Sequence, residues 1–169
     1  MNPPVVSVVS KKNSGKTTLL EKLIPELKRR GYRIGVVKHD THGFEIDHEG
    51  KDTWRHKQAG AEAVAISCPW KISLIQDVSE ELELDEIVRR HFGEMDIVLT
   101  EGYRRSGKPR IEVFRSTAHD SPLHSRENPR TLVAVASDVP VDLGVPRFDI
   151  DDFRGLADFI EERFLGKKP

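Results

Sequence analysis

The apolar run Val5-Val6-Ser7-Val8-Val9 passes into Ser10-Lys11-Lys12-Asn13-Ser14-Gly15-Lys16-Thr17, and that loop passes directly into leucines spaced for one helical face. Few folds accommodate this order. A short β-branched run without polar alternation reads as a strand buried on both faces. Leu19, Leu20, Leu23, Ile24 and Leu27 recur at three-to-four spacing and predict an amphipathic helix starting near Lys16. Lys28, Arg29 and Arg30 suit its last turn and Gly31 its stop, while Pro25 should bend it or remove one hydrogen bond.

A tight polar loop between such a strand and helix turns backbone N–H groups toward one point at a helix N-terminus, which is a site for dense negative charge. A nucleoside triphosphate is the expected ligand. Ser10, Asn13, Ser14, Gly15, Lys16, Thr17 and Thr18 would cradle it, with Lys16 reaching the β- and γ-phosphates and the Thr17 hydroxyl ligating Mg²⁺. Ser10 stands where such loops usually begin with glycine, which changes the first turn but leaves Gly15-Lys16-Thr17-Thr18 intact. The competing reading, a polar connector with a chance lysine, does not account for strand, loop and helix falling in the required order. Lys11 lies where one subclass of these loops carries a second lysine that crosses a dimer, although a solvated Lys11–Lys12 pair is the simpler reading.

The rest of the chain alternates strand and helix signals. Strands are predicted over about 33–37, 63–67, 72–76, 97–100, 110–114 and 132–136, the second and third of them joined tightly around Pro69-Trp70. Helices are predicted over 52–59, stopped by Gly60, and from Ser79 to about Phe92. A last helix would be capped by Asp151 or Asp152, with Phe153, Leu156, Phe159, Ile160 and Phe164 inward. Residues 38–51 read as irregular, with a small hairpin around Phe44 to Ile46. The expectation is an α/β fold of the P-loop NTPase type: a mainly parallel β-sheet with helices on both faces, an added antiparallel hairpin region, and one domain spanning residues 1–169.

Composition narrows the environment. Against 27 basic residues stand 28 acidic ones, a net charge of -1, so no global field draws the chain to nucleic acid or an anionic membrane. Cys68 is the one cysteine, leaving no intrachain disulfide or CxxC pair and fitting a reducing compartment. No apolar run approaches the ~20 residues needed to cross a bilayer. A cytoplasmic protein is expected.

A Mg²⁺-triphosphate site needs a carboxylate at the end of a neighbouring strand. Glu101, after Ile97-Val98-Leu99-Thr100 and before Gly102, is the candidate for both metal binding and catalysis; the alternative is a strand-ending surface carboxylate. Asp138, after Ala134-Val135-Ala136-Ser137, is placed to accept from guanine N1 and N2, or else to serve the turn before Val139-Pro140. No Asn-Lys-x-Asp box is present, and Asp47-His48-Glu49-Gly50 matches DxxG without a long apolar strand before it. His39, His42 and His48 with Asp40 and Asp47 match no standard zinc spacing and read as a polar loop, in which Asp40 or Asp47 is a candidate to orient the magnesium shell or a second substrate. Arg104, Arg105 and Lys108 either clamp a further phosphate or form a solvated loop.

In order, VVSKKNSGKTTLLEKLIPEL, VVKHDTHGFEIDHEGKDTWRHKQAGA, DIVLTEGYRRSGKPRIEVFR and AVASDVP resemble the molybdopterin-guanine dinucleotide biosynthesis protein B (MobB) family over nearly the whole chain. The stretch from Gly50-Lys51-Asp52-Thr53 through Ala59-Gly60-Ala61 is far more specific than any P-loop spelling. The resemblance implies a GTP-binding, weakly hydrolysing accessory protein. It would assist the MobA guanylyltransferase, which joins GMP to molybdopterin, and would form a homodimer through an extended sheet; molybdopterin itself is a further candidate ligand. Gly15, Lys16, Thr17 and Glu101 fall at matching positions. Two alternatives remain: a small-molecule kinase using Arg104, Arg105 and Lys108 on an acceptor phosphate, and a metal-delivery GTPase, which a lone Cys68 argues against.

Overall fold

The computed structural model describes residues 2–125 and 131–166. They form two compact units, Met1–His39 with Leu84–Pro169, and Asp40–Glu83.

The larger unit is built on a six-stranded sheet in the order β2-β5-β1-β6-β7-β8, parallel throughout. Its strands are β1 (Val5–Val9), β2 (Ile34–Lys38), β5 (Ile97–Glu101), β6 (Arg110–Phe114), β7 (Leu132–Ser137) and β8 (Arg147–Asp149). Every residue of β1 is buried, as a VVSVV run between two helical layers requires. One layer is α1 (Lys16–Arg29) with α4 (Phe153–Ile160); Leu19, Leu20, Leu23 and Leu27 meet Leu156, Ala157 and Ile160 over the sheet. The other is α3 (Leu84–His91), whose Leu84 and Val88 pack on Val5, Val37 and Val98. Gly35 makes that approach possible, since a Cβ there would stand 2.4 Å from Cδ1 of Phe92.

Helix α1 runs through Pro25 and ends as the sequence predicts. Gly31 takes φ 88°, its N–H bonds to Lys28 O at 2.9 Å, and Tyr32 N–H bonds to Leu27 O at 3.2 Å, a Schellman closure that needs a left-handed residue. Of the two candidate caps for α4, Asp152 is the one used, accepting from Gly155 N–H at 2.9 Å. Asp151 instead pairs with Lys22 Nζ at 2.7 Å.

The smaller unit holds α2 (Asp52–Gln58) and the antiparallel pair β3 (Ala63–Cys68) and β4 (Lys71–Gln76), closed by a turn at Pro69-Trp70. Ile66, Ile72, Leu74 and Trp70 are exposed.

Two expectations are corrected. No hairpin forms at Phe44 to Ile46, where both apolar side chains face outward without a partner strand. Helix α3 begins at Leu84 and not Ser79, because three of the four intervening residues are glutamates and Leu82 alone makes no helical apolar stripe. Strand β8 and a π-helical turn over Glu161–Leu165, continuing α4, were not foreseen. Among the described residues no helix is long and apolar enough to cross a membrane.

Candidate phosphate-binding site

Strand β1 lies at the centre of the sheet, with β5 on one side and β6 on the other, so the loop after it emerges between two strand ends. Asn13 and Gly15 are both left-handed, at φ 61° and 95°, and Ser14 between them is buried, its hydroxyl donating to Lys11 O at 3.2 Å. Gly15 is the N-cap of α1 and offers no side-chain cap; no acidic residue stands in the first turn. A helix start without an acidic or side-chain acceptor leaves its N–H groups for an external anion.

The cation expected there is in place. Lys16 Nζ donates to Ser10 Oγ at 3.0 Å. Burial pulls its pKa down, the carboxylate of Glu101 acts in the opposite sense, and the charges of Arg104 and Lys38 pull it down further. Thr17 Oγ1 donates to Glu101 Oε1 at 2.9 Å, which joins the first turn of α1 to the end of β5. The two strands are fixed beneath this contact: Val8 and Glu101 are in register, Gly102 N–H donates to Val8 O at 3.1 Å, and buried Thr100 Oγ1 donates to Ser7 Oγ at 2.9 Å. Thr18 is exposed on the same turn. Ser10, Asn13, Ser14, Gly15, Lys16, Thr17 and Glu101 are thus gathered at the C-terminal ends of the central strands. A hydroxyl and a carboxylate at hydrogen-bond distance beside an uncapped helix start are the oxygen donors that a hard divalent cation takes.

Asp138 lies past the end of β7, two strands from β1. Its carboxylate accepts from Ser116 N–H at 2.8 Å and Ser116 Oγ at 3.1 Å, so it anchors the connection between β6 and β7. Lys11 is no free solvated charge: its ammonium donates to Ser121 O at 2.8 Å and Ser121 Oγ at 3.0 Å in that same connection. His119 Nε2 meets Lys12 O at 2.6 Å. Of the basic stretch, Arg104 reaches the loop, donating to Ser10 O, while Lys108 pairs with Asp85.

Asp40 and Asp47, in the smaller unit, each accept from a nearby backbone N–H, of His42 at 2.9 Å and His48 at 2.8 Å, as polar-loop residues do. Among the described residues no group of three or more His, Cys, Asp or Glu is arranged to hold a metal ion.

Arg115 was not anticipated. It follows β6, and its guanidinium Nη2 lies 3.5 Å from where a Cβ on Gly15 would stand. An arginine just past a strand is a recognisable signal, but only once that strand is known to lie beside β1.

Comparison with known proteins agrees with this architecture. Residues 5–138 match the family model described as molybdopterin guanine dinucleotide synthesis protein B. The chain is 37% identical over 162 residues to the molybdopterin-guanine dinucleotide biosynthesis adapter protein of Escherichia coli (strain K12), covering 94% of this chain and 92% of that one. Its identity to the Haemophilus influenzae protein of the same description is 35%, over 94% of this chain and 88% of that one. A crystal structure of molybdopterin-guanine biosynthesis protein B superposes with a TM-score of 0.74 at 34% identity, covering 92% of this chain and 95% of that one. With the model match spanning most of the chain and two such relatives covering nearly all of it, the chain belongs to the molybdopterin guanine dinucleotide synthesis protein B family.

Proposed function

We propose that this chain is a GTP-binding adapter in the assembly of the molybdopterin guanine dinucleotide cofactor, acting with a MobA-type guanylyltransferase and hydrolysing GTP slowly. The observation that carries the nucleotide part is the Thr17–Glu101 contact at 2.9 Å beside the uncapped start of α1, with Lys16 waiting over the loop on Ser10 Oγ. Thr17 and Glu101 would hold Mg²⁺, which would neutralise phosphate charge; Lys16 would bind the β- and γ-phosphates, and the N–H groups from Asn13 to Thr18 would line the rest. The adapter role is supported by the descriptions of the two similar proteins. Guanine preference is supported by that same family name and by Asp138 at the end of β7, whose carboxylate has lone pairs to spare after binding Ser116.

A homodimer is part of the proposal, supported by Ile66, Ile72, Leu74 and Trp70 left exposed on the two-stranded sheet. The deciding experiment is capture of the guanylyltransferase by the tagged chain with Mg-GTP, with Mg-GDP and without nucleotide. Capture that depends on GTP supports the reading; no capture under any condition rejects the adapter role. Light scattering on the same preparation should give twice the chain mass, and a monomer would reject the dimer.

Glu101→Gln keeps a hydrogen-bond acceptor for Thr17 but removes the charge. It should slow Mg²⁺-dependent hydrolysis at least tenfold, the scale of losing one good electrostatic contact at a reacting phosphate, while GTP affinity changes much less. Equal losses in rate and affinity would make Glu101 a scaffold for the loop and not a metal ligand.

A further inference from the structure

The connection from β5 to β6 leaves the sheet through two successive left-handed residues, Gly102 at φ 100° and Tyr103 at φ 56°. Glycine adopts this conformation readily. A tyrosine there is strained and stays only where its surroundings impose it.

They do so from every side. Gly102 N–H is held by Val8 O at 3.1 Å. The Tyr103 carbonyl accepts from Ser106 N–H at 3.2 Å and Ser106 Oγ at 3.0 Å. Its ring lies against His39, centroids 4.7 Å apart, and packs on the cluster of Val5, Val37, Leu84, Val88 and Val98.

What this backbone delivers is Arg104. Its guanidinium turns back to the phosphate loop, donates to the carbonyl of Ser10, and sits near enough to Lys16 for its charge to act on that ammonium. Ser10 is therefore gripped twice, its hydroxyl by Lys16 and its carbonyl by Arg104. Two cations converging on one residue repel each other, and that repulsion becomes attraction once an anion lies between them. Arg104 also follows β5, the strand that carries Glu101, and so stands on the Thr17–Glu101 side of the loop.

We propose that Arg104 is a nucleotide-contacting arginine, supplied in cis, that pairs with the terminal phosphate and makes the site prefer nucleoside triphosphate to diphosphate. The proposal rests on the reading of Ser10 to Thr17 as a triphosphate loop. A guanidinium suits the task because it is permanently charged and offers paired N–H groups to phosphate oxygens.

The test is calorimetry of Mg-GTP and Mg-GDP binding to the wild type, Arg104→Ala, Arg104→Lys and Lys16→Ala, each checked by circular dichroism. Arg104→Ala should lose about 10- to 100-fold in GTP affinity, the range for one charge-assisted contact, with GDP affinity as in the wild type. Arg104→Lys should fall between, keeping the charge without the fork. A GTP-to-GDP affinity ratio unchanged by Arg104→Ala overturns the assignment. Equal loss of both ligands overturns it too, because Arg104 would then only shape the loop around Ser10. Lys16→Ala tests the underlying reading separately, through loss of both nucleotides; a wild type that binds neither removes both claims.

Discussion

Lys16→Ala is expected to reduce GTP affinity by at least about 100-fold, beyond ready detection by calorimetry, while the circular dichroism spectrum stays that of the wild type. The ammonium is a half-buried charge that donates to one neutral hydroxyl, Ser10 Oγ at 3.0 Å. Bound to two phosphates it would make two charge-assisted hydrogen bonds, each worth about 1.5–3 kcal/mol. Their sum of roughly 3–6 kcal/mol corresponds to about a 10²- to 10⁴-fold change in affinity. The fold should not respond, because α1 is held by Leu19, Leu20, Leu23 and Leu27 on the face packed against the sheet. Undiminished binding by a folded variant would refute the phosphate-loop assignment.

Glu112→Ala is expected to have the largest effect on stability, although Glu112 lies outside the loop. It sits in the middle of β6, 1% exposed, between Ile111 and Val113. Its carboxylate accepts from Leu123 N–H, from His124 N–H at 3.0 Å and from His124 Nδ1 at 2.7 Å. The other ring nitrogen of His124 meets Arg110 Nη1 at 3.3 Å. A buried charge is tolerable only with such partners, and removing one member of the set costs about 3–5 kcal/mol. For a chain of this size each kcal/mol moves the melting temperature by roughly 2–4 °C, so a drop on the order of 10 °C is expected. Glu112→Gln, which keeps one carbonyl acceptor, should lose less. Equal melting temperatures for Glu112→Ala and wild type would show that the pairing contributes nothing. A second readout follows from what the anchored segment carries, since His119 meets Lys12 O and Ser121 holds Lys11. Loosening it should weaken nucleotide binding even in the surviving folded fraction.

Much of the fold was legible because the central strands are buried along nearly their whole length. Val5–Val9, Ile97–Glu101 and Leu132–Ser137 are mostly apolar runs, exposed in part only at Glu101, that no exposed helix or loop would carry. Strand β8 was hidden because Arg147–Asp149 has one apolar residue and mixed exposure, so its pairing with β7 comes from the backbone ladder and not from a pattern. At Phe44 and Ile46 the alternation is real, but both side chains are largely exposed in the smaller unit and alternation alone makes no strand pair. Glu80, Glu81 and Glu83 satisfy helix propensity yet leave Leu82 as the one apolar side chain before Leu84, where α3 begins.

The candidate site divides in the same way. Ser10 to Thr17 are contiguous, so their convergence followed from local sequence. Glu101 could be proposed because it ends an apolar strand beside a glycine. Arg115 and Glu112 could not, because their placement depends on β6 lying next to β1, and strand order is not written in any segment. Asp138 was legible as a strand-end acid, but its bonds to Ser116 join segments more than 20 residues apart, |i−j| = 22.

Ser10, the departure from glycine at the head of the loop, bears on how quickly the site can turn over its ligand. With Lys16 already resting on its hydroxyl, an arriving phosphate oxygen need displace only one neutral acceptor, a contact worth about 0.5–1.5 kcal/mol. The contacts that shape the loop, through Ser14, Asn13 and Gly15, do not depend on that one. Little ordering is left for the encounter itself, so arrival would be set by diffusion and residence by the nucleotide's own escape rate. If the proposed GTP-binding role holds, such a poised receptor would suit repeated sampling of a nucleotide pool.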